Sequence, residues 1–125
     1  MIEQQGEGIV QLIESGKLYS EEMTNLLSYY IKPLIKAEVD CLVLGCTHYP
    51  YLIPQIRKIV GNKIQIIDSG EAVARQTKAV LHKNNLINTS KDKSEHKFYI
   101  NKDKKILELI MQGCKTNIEI EEKDF

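Results

Sequence analysis

Between residues 20 and 37 the apolar positions Met23, Leu26, Leu27, Tyr30, Ile31, Leu34 and Ile35 recur every three or four residues, the spacing that lines one face of an α-helix. Ser20, followed by Glu21 and Glu22, predicts where that helix starts: a hydroxyl to accept from free amides, then acidic groups at the positive end of the dipole. Pro33 lies inside the pattern, where its ring and missing N–H predict a kink. Residues 41–45, Cys-Leu-Val-Leu-Gly, form an apolar run without polar alternation. Such a run predicts a short strand covered on both faces, as in a parallel sheet. A second helix is expected to begin between Pro50 and Pro54, to carry Ile53, Ile56, Ile59 and Val60 on one face, and to stop at Gly61 and Asn62.

The pattern then repeats. Ile64 to Ile67 reads as a second strand, Asp68-Ser69-Gly70 as its polar tip, and the stretch containing Ala72, Val73, Ala74, Ala79, Val80 and Leu81 as a helix. Alternating helix, strand and polar tip predicts an α/β fold of parallel-sheet βα units, with any ligand beyond the carboxyl ends of the strands. Residues 84–97 turn polar and predict an exposed loop. A strand at Phe98–Ile100, a helix at Lys102–Gly113 and a strand at Ile118–Ile120 complete the expected elements.

Composition narrows the function. With 125 residues and 42% hydrophobic content, the chain suits one small domain with a single core. Lysine plus arginine equals aspartate plus glutamate at 17 each, so no excess positive charge draws it to nucleic acid or to an anionic membrane. A small neutral or anionic ligand, or another protein, is the expected partner. No stretch approaches the roughly 20 apolar residues that span a bilayer, and the first ten residues have neither a basic leader nor an apolar core, so a cytoplasmic protein is expected. Three cysteines, Cys41, Cys46 and Cys114, are an odd number at irregular spacing and are expected to be thiols.

The candidate chemistry lies in Leu-Val-Leu-Gly-Cys-Thr-His-Tyr-Pro, residues 42–50. A cysteine at a strand tip and near a helix start meets unpaired amides and a positive dipole end, which favour the thiolate and make Cys46 a candidate base. His48 offers a donor to a carboxylate or to that thiolate, and Thr47 a hydroxyl and an amide beside it. Packing reads the same residues differently, since cysteine is among the most buried residue types and His48 can be a satisfied loop histidine. Zinc would need a second ligand pair, and His82, His96 and Cys114 stand at no suitable spacing. Strand alternation sends Cys41 to the face opposite Cys46 and into the core, and Cys114 follows a helix end and is expected to be structural. Asp68-Ser69-Gly70 is read either as helix capping or as an anion site on exposed amides.

The segment LVLGCTHYPYLIPQI resembles the C-terminal signature of glutamate racemases, in the cofactor-independent aspartate/glutamate racemase superfamily. IDSGEAVARQ resembles the segment that follows it there, and EGIVQLIESGKLYSEEMTNLLSYYIKPLI the helical region that precedes it. The resemblance implies an isomerase that interconverts L- and D-glutamate for peptidoglycan, and so cell-wall and cell-shape supply, without metal or pyridoxal phosphate. It implies Cys46 as the second of two catalytic thiols, with Thr47 and His48 as the substrate-contacting and assisting residues. It also implies a fold of two similar α/β domains, of which residues 1–66 are the C-terminal part of the second. Residues 67–125 would then return to complete the first.

The chain is about half the family's usual length and lacks counterparts of the N-terminal aspartate-serine-glycine motif and of the first catalytic cysteine with its asparagine and threonine. Two hypotheses follow. In one, the chain is the C-terminal part of a glutamate racemase, working with a separate N-terminal half or by self-association. In the other, it is a non-catalytic remnant that binds an acidic ligand or a protein.

Overall fold

The computed structural model describes residues 1–90, 95–114 and 116–125. The first element, α1 (Ile9–Glu14), is a six-residue helix that the periodic pattern did not isolate; it buries Ile9, Leu12 and Ile13. Ser20 then accepts from the Met23 amide at 3.1 Å and opens α2 (Glu21–Lys36), as its sequence predicts. The helix continues past Pro33, with the Ala37 amide donating to the Pro33 carbonyl at 3.0 Å. Pro33 is exposed, and so is Tyr29 one turn earlier, whose carbonyl loses its intrahelical donor to the missing N–H.

Strand β1 (Cys41–Val43) is followed by a 3₁₀ turn (Tyr49–Leu52) that runs directly into α3 (Ile53–Val60), closed by Gly61 at φ 66°. Strand β2 (Gln65–Ile67) pairs with β1 in parallel, Cys41 opposite Gln65 and Val43 opposite Ile67, and α4 (Gly70–Lys83) follows. The strand–turn–helix–strand unit is the parallel arrangement that the apolar runs predict. Coverage differs: Val43 is 68% exposed, so β1 is not sheathed on both faces. The physical reason is sheet width, since two strands and the helices packed on them leave one surface of β1 open.

The chain divides into two compact units, Met1–Ile87 and Asn88–Phe125, where its length suggests one domain. Among the described residues the buried apolar side chains all lie between Ile9 and Ile64, with Ile13, Leu18, Met23 and Leu52 the most enclosed. Every residue of α4 is exposed. Unit two holds β3 (His96–Ile100), α5 (Lys104–Met111) and β4 (Ile118–Glu122), with β3 and β4 parallel and Lys97 opposite Glu119. That pair bonds at 2.9 Å; the shared hydrogen bond raises the Lys97 ammonium and lowers the Glu119 carboxyl from their ordinary values. Asp103 caps α5 by accepting from the Lys105 amide at 2.9 Å. The expected loop is exposed over 84–86 and 88–90, and residues 91–94 of it lie outside the described residues. His96 and Lys97 fall in β3 instead, because Ile118 and Glu119 pair with them. Among the described residues no helix is long and apolar enough to cross a membrane.

Two stability effects follow from these placements. Ser20→Ala, which orphans the Met23 amide, is expected to cost about 1 kcal/mol. Leu52→Ala, which empties a fully enclosed site, is expected to cost about 2–5 kcal/mol. Urea denaturation followed by circular dichroism measures both, and a smaller loss for Leu52→Ala than for Ser20→Ala would contradict the assignment of the core.

Candidate active site

The loop between β1 and α3 is fixed at both ends by apolar burial. Leu44 is 8% exposed and donates its amide to the Ile67 carbonyl at 2.8 Å; Leu52 is 0% exposed. Between them the backbone folds tightly, with the Tyr49 amide donating to the Cys46 carbonyl at 3.2 Å and the Tyr51 amide to the His48 carbonyl at 3.3 Å. These turns hold Cys46, Thr47 and His48 outward, beyond the carboxyl end of β1.

The three side chains expected from the sequence come together. His48 Nδ1 lies 3.9 Å from the Cys46 Sγ and 3.4 Å from the Thr47 hydroxyl, so one ring nitrogen faces two possible partners. The other ring nitrogen, Nε2, is 3.5 Å from a carboxylate oxygen of Glu14, the last residue of α1. Glu14 is the site residue that sequence reading missed. Nothing in local spacing marks it, because the contact spans 34 positions and exists only once α1 packs beside the loop. Carboxylate, imidazole and thiol thus stand in a row. With the imidazole protonated, Glu14 holds its charge on one side and Nδ1–H faces the sulfur on the other, an arrangement suited to supporting a thiolate or returning its proton.

Cys46 is half-buried, and it lines an open groove of about 1190 Å³ with Tyr49, Val43, Cys41 and residues 1–7. The expectation that Cys41 turns away into the core is corrected: it is half-buried and borders the same groove, because regular strand geometry ends at Val43 and alternation does not extend to Cys46. Cys114, expected to be structural, is exposed in the second unit with its Sγ 3.3 Å from the Thr116 hydroxyl. At the second strand tip, Asp68 accepts from the Gly70 amide at 2.8 Å and Ser69 makes no capping bond, so the capping reading describes Asp68 and not Ser69.

No family model matches the chain. A glutamate racemase of Clostridium perfringens is 41% identical over 103 residues, which are 82% of this chain and 40% of that protein. The solved structure of a glutamate racemase isoform from Bacillus anthracis aligns with 98% of this chain and 46% of its own, at a TM-score of 0.74 and 24% identity. A glutamate racemase from Francisella tularensis, solved in complex with D-glutamate, aligns with 91% of this chain and 44% of its own, at a TM-score of 0.65 and 26% identity. The chain spans between 29% and 40% of the length of curated relatives of this kind.

Because Glu14 and His48 are both partly solvated, their ion pair contributes at most about 1 kcal/mol to stability. Glu14→Gln is therefore expected to leave the urea midpoint nearly unchanged. A loss of several kcal/mol would show that Glu14 supports the fold rather than the imidazole.

Proposed function

From a chain that matches the C-terminal portion of the glutamate racemases, we propose that it supplies one half of a glutamate racemase site: the half whose thiol, Cys46, moves the α-proton on one face of the amino acid. The observation that carries this reading is the Cys46 sulfur at an open groove with the His48 imidazole 3.9 Å away and Glu14 behind it. The α-proton of glutamate is weakly acidic, so its removal needs a positioned base. Cys46 takes that role, His48 assists its protonation change, Glu14 orients the imidazole, and Thr47 contacts the substrate. Closing the groove over a bound amino acid would exclude water and strengthen each of these contacts.

Inversion needs a thiolate on one face and a thiol on the other. One sulfur exchanges a proton on its own side only. Cys41 borders the same groove as Cys46, and neither it nor Cys114 lies in the sequence context of the superfamily's first catalytic cysteine. The opposing thiol therefore comes from a segment equivalent to the N-terminal part of the longer relatives. D-glutamate made by the assembly would supply peptidoglycan, and in the chemistry proposed the proton moves between amino-acid side chains and substrate without a cofactor. The non-catalytic reading, a module that binds an acidic ligand or a protein, is favoured by one feature, the exposure of Val73, Val80 and Leu81 along α4.

Incubated with L-glutamate, the 125-residue chain alone is expected to form no D-glutamate, and addition of a matching N-terminal half to restore turnover; chiral chromatography follows both. Racemisation by the chain alone at full rate would end the proposal, as would inertness of the reconstituted pair. In that pair Cys46→Ala is expected to lower turnover by about 10²–10⁴-fold, the range of one positioned acid–base group, and Cys114→Ala to leave it intact. Equal losses from the two would mean that the wrong sulfur has been assigned.

A further inference from the structure

Tyr49 has no part in the chemistry above, yet it is the loop residue tied furthest across the sequence. Its half-buried phenol donates to the Gly6 carbonyl at 3.3 Å, a contact between residues 43 positions apart. Tyr30 of α2 donates to the next carbonyl, that of Glu7, at 2.9 Å. Two tyrosines from two elements thus clip one dipeptide. Gly6 fits because it lacks a side chain: a Cβ there would overlap the Tyr49 hydroxyl oxygen and stand 2.7 Å from the Ile9 Cδ1. Residues 1–7, held by the clip, wall the groove onto which Cys46 opens. At the loop end, the bond from the Tyr49 amide to the Cys46 carbonyl makes the phenol and the thiol parts of one turn. Burial, then the neighbouring Cys46, then Tyr30 push the Tyr49 phenol up, so it stays a neutral donor wherever thiol chemistry operates.

We propose that Tyr49 is a positioning residue: by bonding Gly6 it fixes at once the turn that aims the Cys46 sulfur and the segment that bounds the groove in front of it. The inference rests on reading Cys46 as the reacting thiol. Its role is to hold the sulfur against His48 and to limit the directions from which a molecule reaches it. Without the phenol oxygen the turn keeps its backbone bond but loses its tether, and residues 1–7 keep only the Tyr30 half of the clip.

The test is alkylation of the 125-residue chain by iodoacetamide across a pH series, with Cys46 and Cys114 quantified separately by peptide mapping. Tyr49→Phe is expected to raise the Cys46 rate about two- to tenfold, the factor that one ordinary hydrogen bond supports, and to move the midpoint of its rate–pH profile. Cys114 should keep both its rate and its midpoint. Gly6→Ala, which pushes the phenol aside from the other partner, is expected to act on Cys46 in the same direction. An unchanged Cys46 in Tyr49→Phe overturns the proposal, and so does a change that Cys114 shares. A faster Cys46 with an unmoved midpoint also overturns it, since Tyr49 would then be only a latch on residues 1–7. Alkylation reads the sulfur without substrate, so a pair that fails to racemise glutamate while Cys46 still depends on Tyr49 would sink the proposed function and not this inference.

Discussion

Burial of Leu44 and Leu52 is the constraint on which the site depends. The polar side chains between them touch only loosely: the contacts of His48 with Cys46, Thr47 and Glu14 run from 3.4 to 3.9 Å. These three contacts of His48 do not by themselves shape a loop. Two enclosed leucines, each worth about 1.5–3 kcal/mol of transfer from water, do. The loop inherits its geometry from the core of Ile9 to Ile64, so the placement of Cys46, Thr47 and His48 is set by hydrocarbon packing on either side of them.

Much of this was legible in the sequence, and the reason is locality. The start of α2 is written in Ser20 and the two glutamates after it, its face in the spacing from Met23 to Leu34, and the end of α3 in Gly61. The β1 run predicts a parallel sheet because it lacks polar alternation, and a helix-length segment separates it from the β2 run with which it pairs. Cys46, Thr47 and His48 are sequence neighbours, so their meeting needed only a turn. What could not be read depends on distant parts of the chain. Glu14 reaches His48, and Tyr49 reaches Gly6, only after α1 and residues 1–7 settle against the loop. The exposure of Val43 depends on how many strands the sheet has, which no run of four residues encodes. Cys41 followed from a rule applied too far: alternation fixes facing inside a strand and ceases with it.

Residues beyond Ile64 present a different balance. They form regular elements, yet they add no fully buried apolar side chain among the described residues, and α4 carries Val73, Val80 and Leu81 on its surface. Helices draw most of their stability in proteins from packing of an apolar stripe. The apolar stripe of α4 is uncovered in the structure, and the chain spans only part of the length of its curated relatives.

The β3–β4 sheet is parallel and two strands wide. Each strand pairs one row of amides and carbonyls with its partner, and its other row lies outside this two-stranded ladder. An outward row is a template on which any extended peptide can register, including the same strand of a neighbouring molecule. A ladder of two strands has two edges, and an edge is where a further extended segment would add its own row.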